Sequence, residues 1–413
     1  MGRHGQITRR RFLRGAAGAV GFPAVVRASA LGAGGRAAPS DRIALGAIGV
    51  GGRGSYVFTS LARRGDVQAV AACDVQAARL APFRRAGLAV YRDFRDMLAR
   101  GDLDAVTVAS PSHWKPLHTI AAARAGADVF CEKPMSLTVR DGRAMVDAVR
   151  RYGRVFQHGT QQRSSHEFRF ACEMVRSGRI GRLRVVEVHV SGPPGCCRLG
   201  AQPVPEGIDW DLWLGPAPWR PFHADICTRG CGAWEGLRDY SGGGMTGWGS
   251  HHFDIAQWGL AADATGPVEV LPPGRRGHPG VTFLYAGGVE VRHTGRMGDW
   301  AVVFRGTEGE IAVNRGTLQT QPAGLMREPI GPGEVHLRRS SNHGGNFIDC
   351  VRTRQRPVCD VQIGHRTMSV CHLGNIAYWL RRALRWDPAN ERFAGDDEAD
   401  RLLDRARREP WRL

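Results

Sequence analysis

Lysine is almost absent from this chain. Of the 57 lysines and arginines, only Lys115 and Lys133 are lysines. Arginine supplies positive charge but does not release its proton, whereas a desolvated lysine can act as an acid or a base. Both lysines follow segments predicted as strand ends, so Lys133, within Glu132-Lys133-Pro134, is a candidate catalytic residue. The alternative is that Lys133 is a chance survivor of a biased composition.

Several other features are missing, and each absence excludes a class of function. No hydrophobic run is long enough to span a membrane, and no block of five like charges or basic-aromatic motif indicates nucleic-acid binding, although the formal charge is +18. No G-x-S-x-G motif indicates a serine hydrolase, and no internal repeat is present. The 413 residues, 42% hydrophobic with 55 glycines, indicate a globular α/β protein of two domains.

The amino terminus has the pattern of an export signal. Thr8-Arg9-Arg10-Arg11-Phe12-Leu13-Arg14 carries twin arginines, the weakly apolar run 15–26 follows, and Ala28-Ser29-Ala30 is a small-x-small cleavage site. Residues 1–30 are therefore predicted to be a twin-arginine signal peptide, with a linker at 31–40 and a periplasmic or extracytoplasmic location. The alternative is an arginine-rich disordered start.

Four of the ten cysteines cluster in a Gly/Pro-rich region, namely Cys196, Cys197, Cys227 and Cys231. In an oxidising compartment they could form one or two disulfides. Free thiols and a metal site are the alternatives, but Cys227-x3-Cys231 with a vicinal pair is not a strong zinc spacing. The sequence predicts no bound metal.

A glycine-rich loop has the surroundings of a dinucleotide site. The predicted strand 43–48 leads into Gly49-Val50-Gly51-Gly52-Arg53-Gly54, a helix follows, and a second strand ends at Asp74. Glycines let the backbone approach a pyrophosphate at a helix amino terminus, and Asp74 would accept hydrogen bonds from the ribose hydroxyls. NAD is therefore predicted over NADP, although Arg53 could reach a phosphate. The predicted cofactor ligands here are Gly49, Gly51, Gly52, Arg53, Gly54 and Asp74; a purely structural turn is the alternative.

Strand and helix alternate as far as residue 160. This alternation predicts a doubly wound parallel sheet of six strands, a Rossmann domain, over 41–160. Ligands bind at the carboxyl ends of such strands, where the sequence places further cofactor ligands. These are Ser110, Pro111, His113, Glu132 and Lys133.

After residue 160 the pattern changes to that of an α+β domain. Residues 161–385 are predicted to form a large, open, mainly antiparallel sheet with helices, including a final helix at 367–384. Within it, residues 192–245 are predicted to be long surface loops, and 386–413 a charged tail. Trp210 beside Asp209 and Asp211 suits a sugar site, because aromatic faces stack on sugar rings; a loop-anchoring aromatic cluster is the alternative.

These motifs together resemble the Gfo/Idh/MocA family of sugar and polyol oxidoreductases. The resemblance rests on the glycine loop with Asp74, Ser110-Pro111-Ser112-His113-Trp114, Glu132-Lys133-Pro134, and Gly243-Gly244 through His251-His252-Phe253-Asp254. The closer likeness is to an exported, twin-arginine branch. It rests on the runs 157–164, 209–216 and 342–347.

The resemblance implies a set of roles. Lys133 would lie near the nicotinamide and the reacting hydroxyl, and His251 would take the hydroxyl proton, while Gly247 stands where the family has a catalytic Asp. The family also implies a carbohydrate substrate and a homo-oligomer. Candidate substrate ligands are Lys115, Gln161, Arg163, Trp210, Trp248 and His252.

Three functions follow from these expectations. The first is an NAD-dependent oxidoreductase that acts on a hydroxyl of a sugar, polyol or glycoside by hydride transfer. The second is an NAD-assisted glycosidase or lyase that works through a transient 3-keto sugar. The third is a catalytically weakened protein that binds NAD and a sugar.

Overall fold

The computed structural model describes Ala38, residues 41–227 and residues 232–413, with only the backbone at 232 and 233. The predicted signal peptide, nearly all of the predicted linker and Cys231 lie outside these residues. None of the described helices is both long and apolar enough to cross a membrane.

The first sheet has six parallel strands and confirms the predicted Rossmann architecture. The spatial order is β3-β2-β1-β4-β5-β6, so the strand order reverses between β1 and β4. All residues of β4 and β5 are buried, as expected for strands covered on both faces. The strands are β1 Ile43–Ile48, β2 Val67–Cys73, β3 Ala89–Tyr91, β4 Ala105–Val108, β5 Asp128–Cys131 and β6 Phe156–His158.

Helices connect these strands, and two of them begin at a side-chain cap. The helix before β6 starts after Thr138, whose hydroxyl accepts a hydrogen bond from the backbone N–H of Asp141. The helix before β4 is capped in the same way by Asp93. The five helices are α1 Gly52–Ala62, α2 Ala77–Arg85, α3 Phe94–Leu98, α4 Lys115–Arg124 and α5 Val139–Arg151.

The second sheet has nine strands and is mostly antiparallel, which also confirms the prediction. Its order is β13-β12-β11-β7-β10-β9-β8-β14-β15, and the β7–β10 pair is parallel. Its strands are β7 Leu183–Val188, β8 Glu269–Leu271, β9 Thr282–Leu284, β10 Glu290–His293, β11 Val302–Gly306, β12 Glu310–Asn314, β13 Thr317–Gln321, β14 Leu384–Asp387 and β15 Arg392–Phe393.

The helices of this half pack against the sheet and against the first domain. The long helix α13, Val361–Leu380, starts after Asp360, which caps it, and ends before Arg381, whose φ is 53°. It therefore begins and ends earlier than the predicted 367–384. The helices are α6 His166–Arg176, α7 Trp210–Leu214, α8 Ala224–Cys227, α9 Gly232–Glu235, α10 Gly244–Gly247, α11 Gly249–Gly259, α12 His343–Thr353, α13 Val361–Leu380 and α14 Asp397–Arg401, with 3-10 turns at Gln161–Ser164, Arg275–Gly277 and Ala323–Arg327.

The prediction that residues 192–245 are surface loops is wrong in part. They enclose a small core of their own, because Trp210 stacks on Trp213 with ring centroids 4.9 Å apart and Phe222 meets Trp210 edge-on. The cysteines of this segment that the structure describes, Cys196, Cys197 and Cys227, form no disulfide with one another. The segment's hydrophobic residues therefore hold it together without a cross-link in the described part of the chain.

Buried histidines predict a strong dependence of stability on pH. Burial lowers their pKa below the ordinary 6.5, so at pH 4 to 6.5 the unfolded chain binds protons that the folded protein does not. The free energy of unfolding should therefore fall as the pH falls below 6.5, by up to about 1.4 kcal/mol per pH unit for each ring. The pKa is lowered to about 4 for His113, His252, His293 and His343, and to about 3 for His118, His158 and His372.

Urea unfolding at pH 7.5, 6.5 and 5.5 measures the slope of the free energy of unfolding against pH. Between pH 6.5 and 5.5 we expect this slope to exceed the value for a single histidine ring. His118→Gln should reduce the slope, because it removes one buried neutral ring. A free energy of unfolding that is constant between pH 7.5 and 5.5 would contradict the burial of neutral rings.

Candidate active site

The glycine loop lies where the strand order of the first sheet reverses. Gly49 follows β1 with a φ of 82°, a conformation that favours glycine. A Cβ on Gly54 would lie 1.9 Å from the carbonyl oxygen of Gly49, so the turn closes only with glycine at 54. Gly52, at the start of α1, has no atom within 4 Å of the corresponding position. The loop therefore leaves open space at the helix amino terminus, where a pyrophosphate is favoured.

Two alanine substitutions distinguish the close turn at Gly54 from the open space at Gly52. Gly54→Ala should lower the free energy of unfolding by about 1–3 kcal/mol, because the added methyl group meets backbone. Gly52→Ala should not destabilise the fold, because its methyl group points into open space, but it should weaken NAD binding. Chemical denaturation and calorimetric titration with NAD measure the two effects. Equal stabilities of the two variants would contradict the close approach of Gly54 to Gly49.

Asp74 lies at the carboxyl end of β2 and faces the loop. Its carboxylate accepts hydrogen bonds of 3.0 Å from the backbone N–H groups of Val50 and Gln76, and an Arg79 nitrogen lies 3.7 Å away. Burial raises the pKa of this carboxyl, and the charge of Arg79 opposes that rise. Arg79 was not predicted as a site residue, because nothing near it in sequence distinguishes it from the many other arginines.

The cleft beside Asp74 is closed on one side by the segment that contains Trp213. Gln76 and Arg79 both donate to the carbonyl oxygen of Cys227 at 3.1 Å, which ties the segment to the first domain. Ser110 and Pro111 line the same cleft as the glycines. The open helix terminus, the close glycine turn and the carboxylate together fit a dinucleotide. Among the described residues no group of three or more His, Cys, Asp or Glu side chains is arranged to hold a metal ion.

Glu132 connects the glycine loop to the Glu-Lys-Pro motif. Its carboxylate accepts from Arg53 Nε at 2.7 Å, from the Gln161 amide at 3.2 Å and from the backbone N–H of Lys133 at 3.1 Å. Arg53 is therefore paired with a carboxylate through Nε. This pairing weakens the one feature of the loop that favoured NADP.

The two lysines form one structural unit. Lys115 is 2% exposed, and its ammonium donates to the carbonyl oxygens of Lys133 at 3.0 Å and Pro134 at 3.1 Å. Burial lowers the pKa of Lys115 to about 8. Its prediction as a substrate ligand is corrected, because its ammonium holds the backbone at Lys133. The ammonium of Lys133 has no hydrogen-bond or ion-pair partner among the described residues, so it is available to a substrate.

His251 lies on α11 and is joined to two residues that sequence analysis missed. The Gln162 amide nitrogen donates to His251 Nδ1 at 2.5 Å, and the Gln162 oxygen accepts from Arg315 Nε at 3.1 Å and Nη2 at 2.7 Å. Burial first, and then the charge of Lys133, hold the pKa of His251 well below its usual range. Gln162 adjoins the predicted Gln161, but Arg315 lies on a distant hairpin turn and no motif marks it.

The bonds of Gln162 determine which nitrogen of His251 carries the proton. A guanidinium has only donors, so Gln162 must turn its oxygen towards Arg315 and its NH2 group towards His251. Nδ1 of His251 is then an acceptor, and the proton of the neutral ring is on Nε2. In this tautomer the ring donates a hydrogen bond through Nε2, a role that differs from the predicted acceptance of the hydroxyl proton.

The wall beside His251 is formed by Trp248, His252 and Gly247. Trp248 is 43% exposed, and the Arg315 guanidinium lies 4.9 Å from its ring centroid. His252 Nδ1 donates to the carbonyl oxygen of His189 at 2.8 Å, which leaves Nε2 to accept from Arg315 at 3.2 Å. Gly247 is one helical turn before His251, and a Cβ there would meet no atom within 4 Å.

Three other predicted site residues have structural roles. Arg163 is 1% exposed and pairs with both Asp254 and Asp263. The Trp210 ring nitrogen donates to the carbonyl oxygen of Arg220 within the aromatic cluster, and His113 Nε2 bonds the carbonyl oxygen of Trp213. Arg163 and Trp210 are therefore corrected as substrate ligands, because each is buried with its polar atoms engaged inside the protein. His113 is corrected as a cofactor ligand, because it is buried and its Nε2 bonds the Trp213 carbonyl oxygen.

Comparison with known proteins gives matches over most of the described chain. Residues 43–160 match a family model described as "Oxidoreductase family, NAD-binding Rossmann fold", and residues 193–413 match "Oxidoreductase family, C-terminal alpha/beta domain". The chain is 25% identical over 253 residues to 1,5-anhydro-D-fructose reductase of Ensifer adhaerens, a match covering 59% of this chain and 66% of the relative. It is 31% identical over 163 residues to D-glucoside 3-dehydrogenase of Escherichia coli strain K12, covering 38% and 46% respectively. Each match spans less than two thirds of the relative's length.

Among solved structures, the fold is similar to that of the WlbA dehydrogenase from Bordetella pertussis in complex with NADH and UDP-GlcNAcA. The TM-score is 0.61 at 22% identity, and the alignment covers 84% of this chain and 98% of that one. At this identity the likeness concerns the fold.

Proposed function

Because this chain belongs to the Gfo/Idh/MocA oxidoreductase family, we propose that it oxidises or reduces a hydroxyl-bearing carbon of a sugar, polyol or glycoside with NAD as its cofactor. The observation that carries the proposal is the position of Lys133. It follows β5 at the carboxyl edge of the same sheet that holds the glycine loop and Asp74, and its ammonium has no internal partner in the described part of the chain. The relatives named as a sugar reductase and a glucoside dehydrogenase support this choice of substrate class.

NAD, when bound, supplies the hydride acceptor or donor. Gly49 and Gly54 form the tight turn, the open space at Gly52 would receive the pyrophosphate, and Asp74 would accept hydrogen bonds from the adenosine ribose. Glu132 fixes the backbone N–H of Lys133 relative to the glycine loop through Arg53. The cofactor-binding half and the reacting half of the site are thus held by one carboxylate.

Lys133 and His251 have different roles at the reacting hydroxyl. His251, with its proton on Nε2, donates a hydrogen bond to the substrate oxygen and stabilises negative charge that develops there. The nitrogen of Lys133 accepts the hydroxyl proton during oxidation and returns it during reduction. Gln162 and Arg315 keep His251 in the required tautomer.

Turnover by the NAD-loaded protein tests the proposal. The protein is mixed with a panel of sugars, polyols and glycosides, and the absorbance of reduced nicotinamide is followed, with Lys133→Met as the control. We expect a rise with at least one compound and none with the variant. Cleavage of a glycoside without net reduction of NAD would instead favour the NAD-assisted glycosidase, and binding without turnover of any compound would overturn the proposal.

Export and self-association are further proposals. The twin arginines Arg9 and Arg10 support transport of the folded protein by the twin-arginine route to the periplasm. Fractionation of cells that express the wild type and the Arg9→Lys/Arg10→Lys variant tests this, because the variant should stay in the cytoplasm. Light scattering tests whether the protein forms the homo-oligomer that the family resemblance implies.

A further inference from the structure

Arg315 faces the candidate active site with neutral partners alone among the described residues. Its Nε and Nη2 donate to the Gln162 oxygen, and its Nη1 bonds His252 Nε2 at 3.2 Å and the Asn314 oxygen at 3.3 Å. These groups orient the guanidinium without neutralising it. A fixed, uncompensated cation is what a site uses to recognise an anion.

Two neighbouring arginines, unlike Arg315, are paired with carboxylates. Arg53 is paired with Glu132 at 2.7 Å, and Arg163 is paired with two aspartates at 2.7 and 2.6 Å. Of the carboxylates in the described residues, none forms an ion pair with Arg315 or with Lys133. A guanidinium keeps its proton, so Arg315 is the group beside His251 whose charge the described residues leave unbalanced.

Space for an anionic group exists on the same wall. Gly247 is one turn before His251, and the position of a Cβ there is open. Trp248 is exposed beside it and packs against the Arg315 guanidinium. A ligand that contacts Lys133 and His251 can thus extend towards Arg315 over the Trp248 ring.

We propose that the substrate is an acidic sugar, such as a uronic acid, whose carboxylate binds Arg315 in the open space beside Gly247. This inference rests on the proposed function, because it places the reacting hydroxyl at Lys133. When Lys133 accepts the hydroxyl proton, a second positive charge forms near Arg315. The carboxylate of the substrate supplies the negative charge that the protein does not.

The hydrogen-bond inventory favours a carboxylate over a phosphate. A guanidinium has five N–H donors, and Gln162, His252 and Asn314 engage four of those of Arg315, which leaves one on Nη2. One remaining guanidinium donor suits a carboxylate, with two acceptor oxygens, better than a phosphate, with three. A phosphate dianion would leave acceptors without donors among these residues.

Calorimetric titration of the NAD-loaded protein tests the inference with matched pairs of sugars. The pairs are D-glucose with D-glucuronate, D-galactose with D-galacturonate and D-mannose with D-mannuronate, and D-glucose 6-phosphate is added as a phosphate probe. We expect an acid to bind at least 10-fold more tightly than its neutral partner. Arg315→Gln should reduce that ratio by about 10- to 100-fold, the effect of losing one charge-assisted hydrogen bond. Arg305→Gln, which alters an arginine already paired with Glu187 and Glu310, should leave the ratio unchanged.

Gly247→Asp gives an independent check, because it places a carboxylate of the protein in the space assigned to that of the substrate. This variant should lose the preference for acids. Equal affinities within every pair, tighter binding of the sugar phosphate, or an acid preference that Arg315→Gln does not change would each overturn the inference. Turnover is measured separately: neutral sugars oxidised without acid preference would leave the proposed function standing, and acids bound through Arg315 without hydride transfer would leave only the inference standing.

Discussion

Lys133→Met is expected to lower kcat about 1,000-fold, while the dissociation constant for NAD and the stability stay close to those of the wild type. The variant removes the nitrogen that exchanges a proton with the substrate, and positioned acid–base groups contribute about 100- to 10,000-fold. Stability should not change, because the ammonium makes no hydrogen bond within the described part of the protein. Initial rates with the compound that turns over in the panel, and denaturation curves, measure the two effects.

Two further lysine variants make this result specific. Lys133→Arg keeps the positive charge but cannot accept a proton, so it should not restore activity. Lys115→Met should instead lower the stability, since it leaves the carbonyl oxygens of Lys133 and Pro134 without their buried donor. We expect a loss of about 1–3 kcal/mol in the free energy of unfolding. Near-normal activity of Lys133→Met would contradict the role of Lys133 in proton transfer.

Arg163→Met is expected to lower the free energy of unfolding by about 3–5 kcal/mol, the cost of leaving a buried carboxylate unpaired. Arg163 bonds Asp254 on α11 and Asp263 beyond it, and Thr367 donates to the same Asp254 carboxylate at 2.9 Å. The pair joins the turn that contains Gln162 to the helix that contains His251. Activity should therefore fall together with stability.

An exposed ion pair provides the control for this prediction. Arg412 and Glu409 pair at 2.9 Å with side chains 79% and 70% exposed, so Arg412→Gln should change the free energy of unfolding by less than about 0.5 kcal/mol. Urea denaturation measures both variants. A loss below about 1 kcal/mol for Arg163→Met would mean that the buried pair does not fix α11.

The first domain could be predicted from sequence because its signals are local. Most strands of the Rossmann sheet are short apolar runs, and Gly54 and Asp74 follow β1 at the spacing of a dinucleotide-binding motif. The second sheet was predicted only as a class. The parallel β7–β10 pair joins residues about a hundred positions apart, and no local pattern encodes such pairing.

The site residues fall into the same two groups: those in local motifs were predicted, and those defined by distant contacts were not. Lys133 and His251 lie in motifs with a recognisable position in the sequence, and the charge of Lys133 acts on the His251 ring. Arg163, Trp210 and Lys115 carry polar groups of the kind that bind a substrate. Their hydrogen-bond partners are distant in sequence, so the sequence did not show that these groups bond inside the protein. Gln162 and Arg315 were missed for the same reason: the tautomer of His251 depends on a contact between a turn and a remote hairpin.

Transfer of a deuterium label tests the central claim most directly. The NAD-loaded protein is incubated with the panel sugars, deuterated at every carbon-bound position, and the released nicotinamide cofactor is analysed by mass spectrometry. We predict that a deuterium from the substrate carbon appears in the reduced nicotinamide of the wild type and is absent from that of Lys133→Met. Reduced cofactor without the label, or no reduced cofactor with any compound that binds, would contradict direct hydride transfer at Lys133.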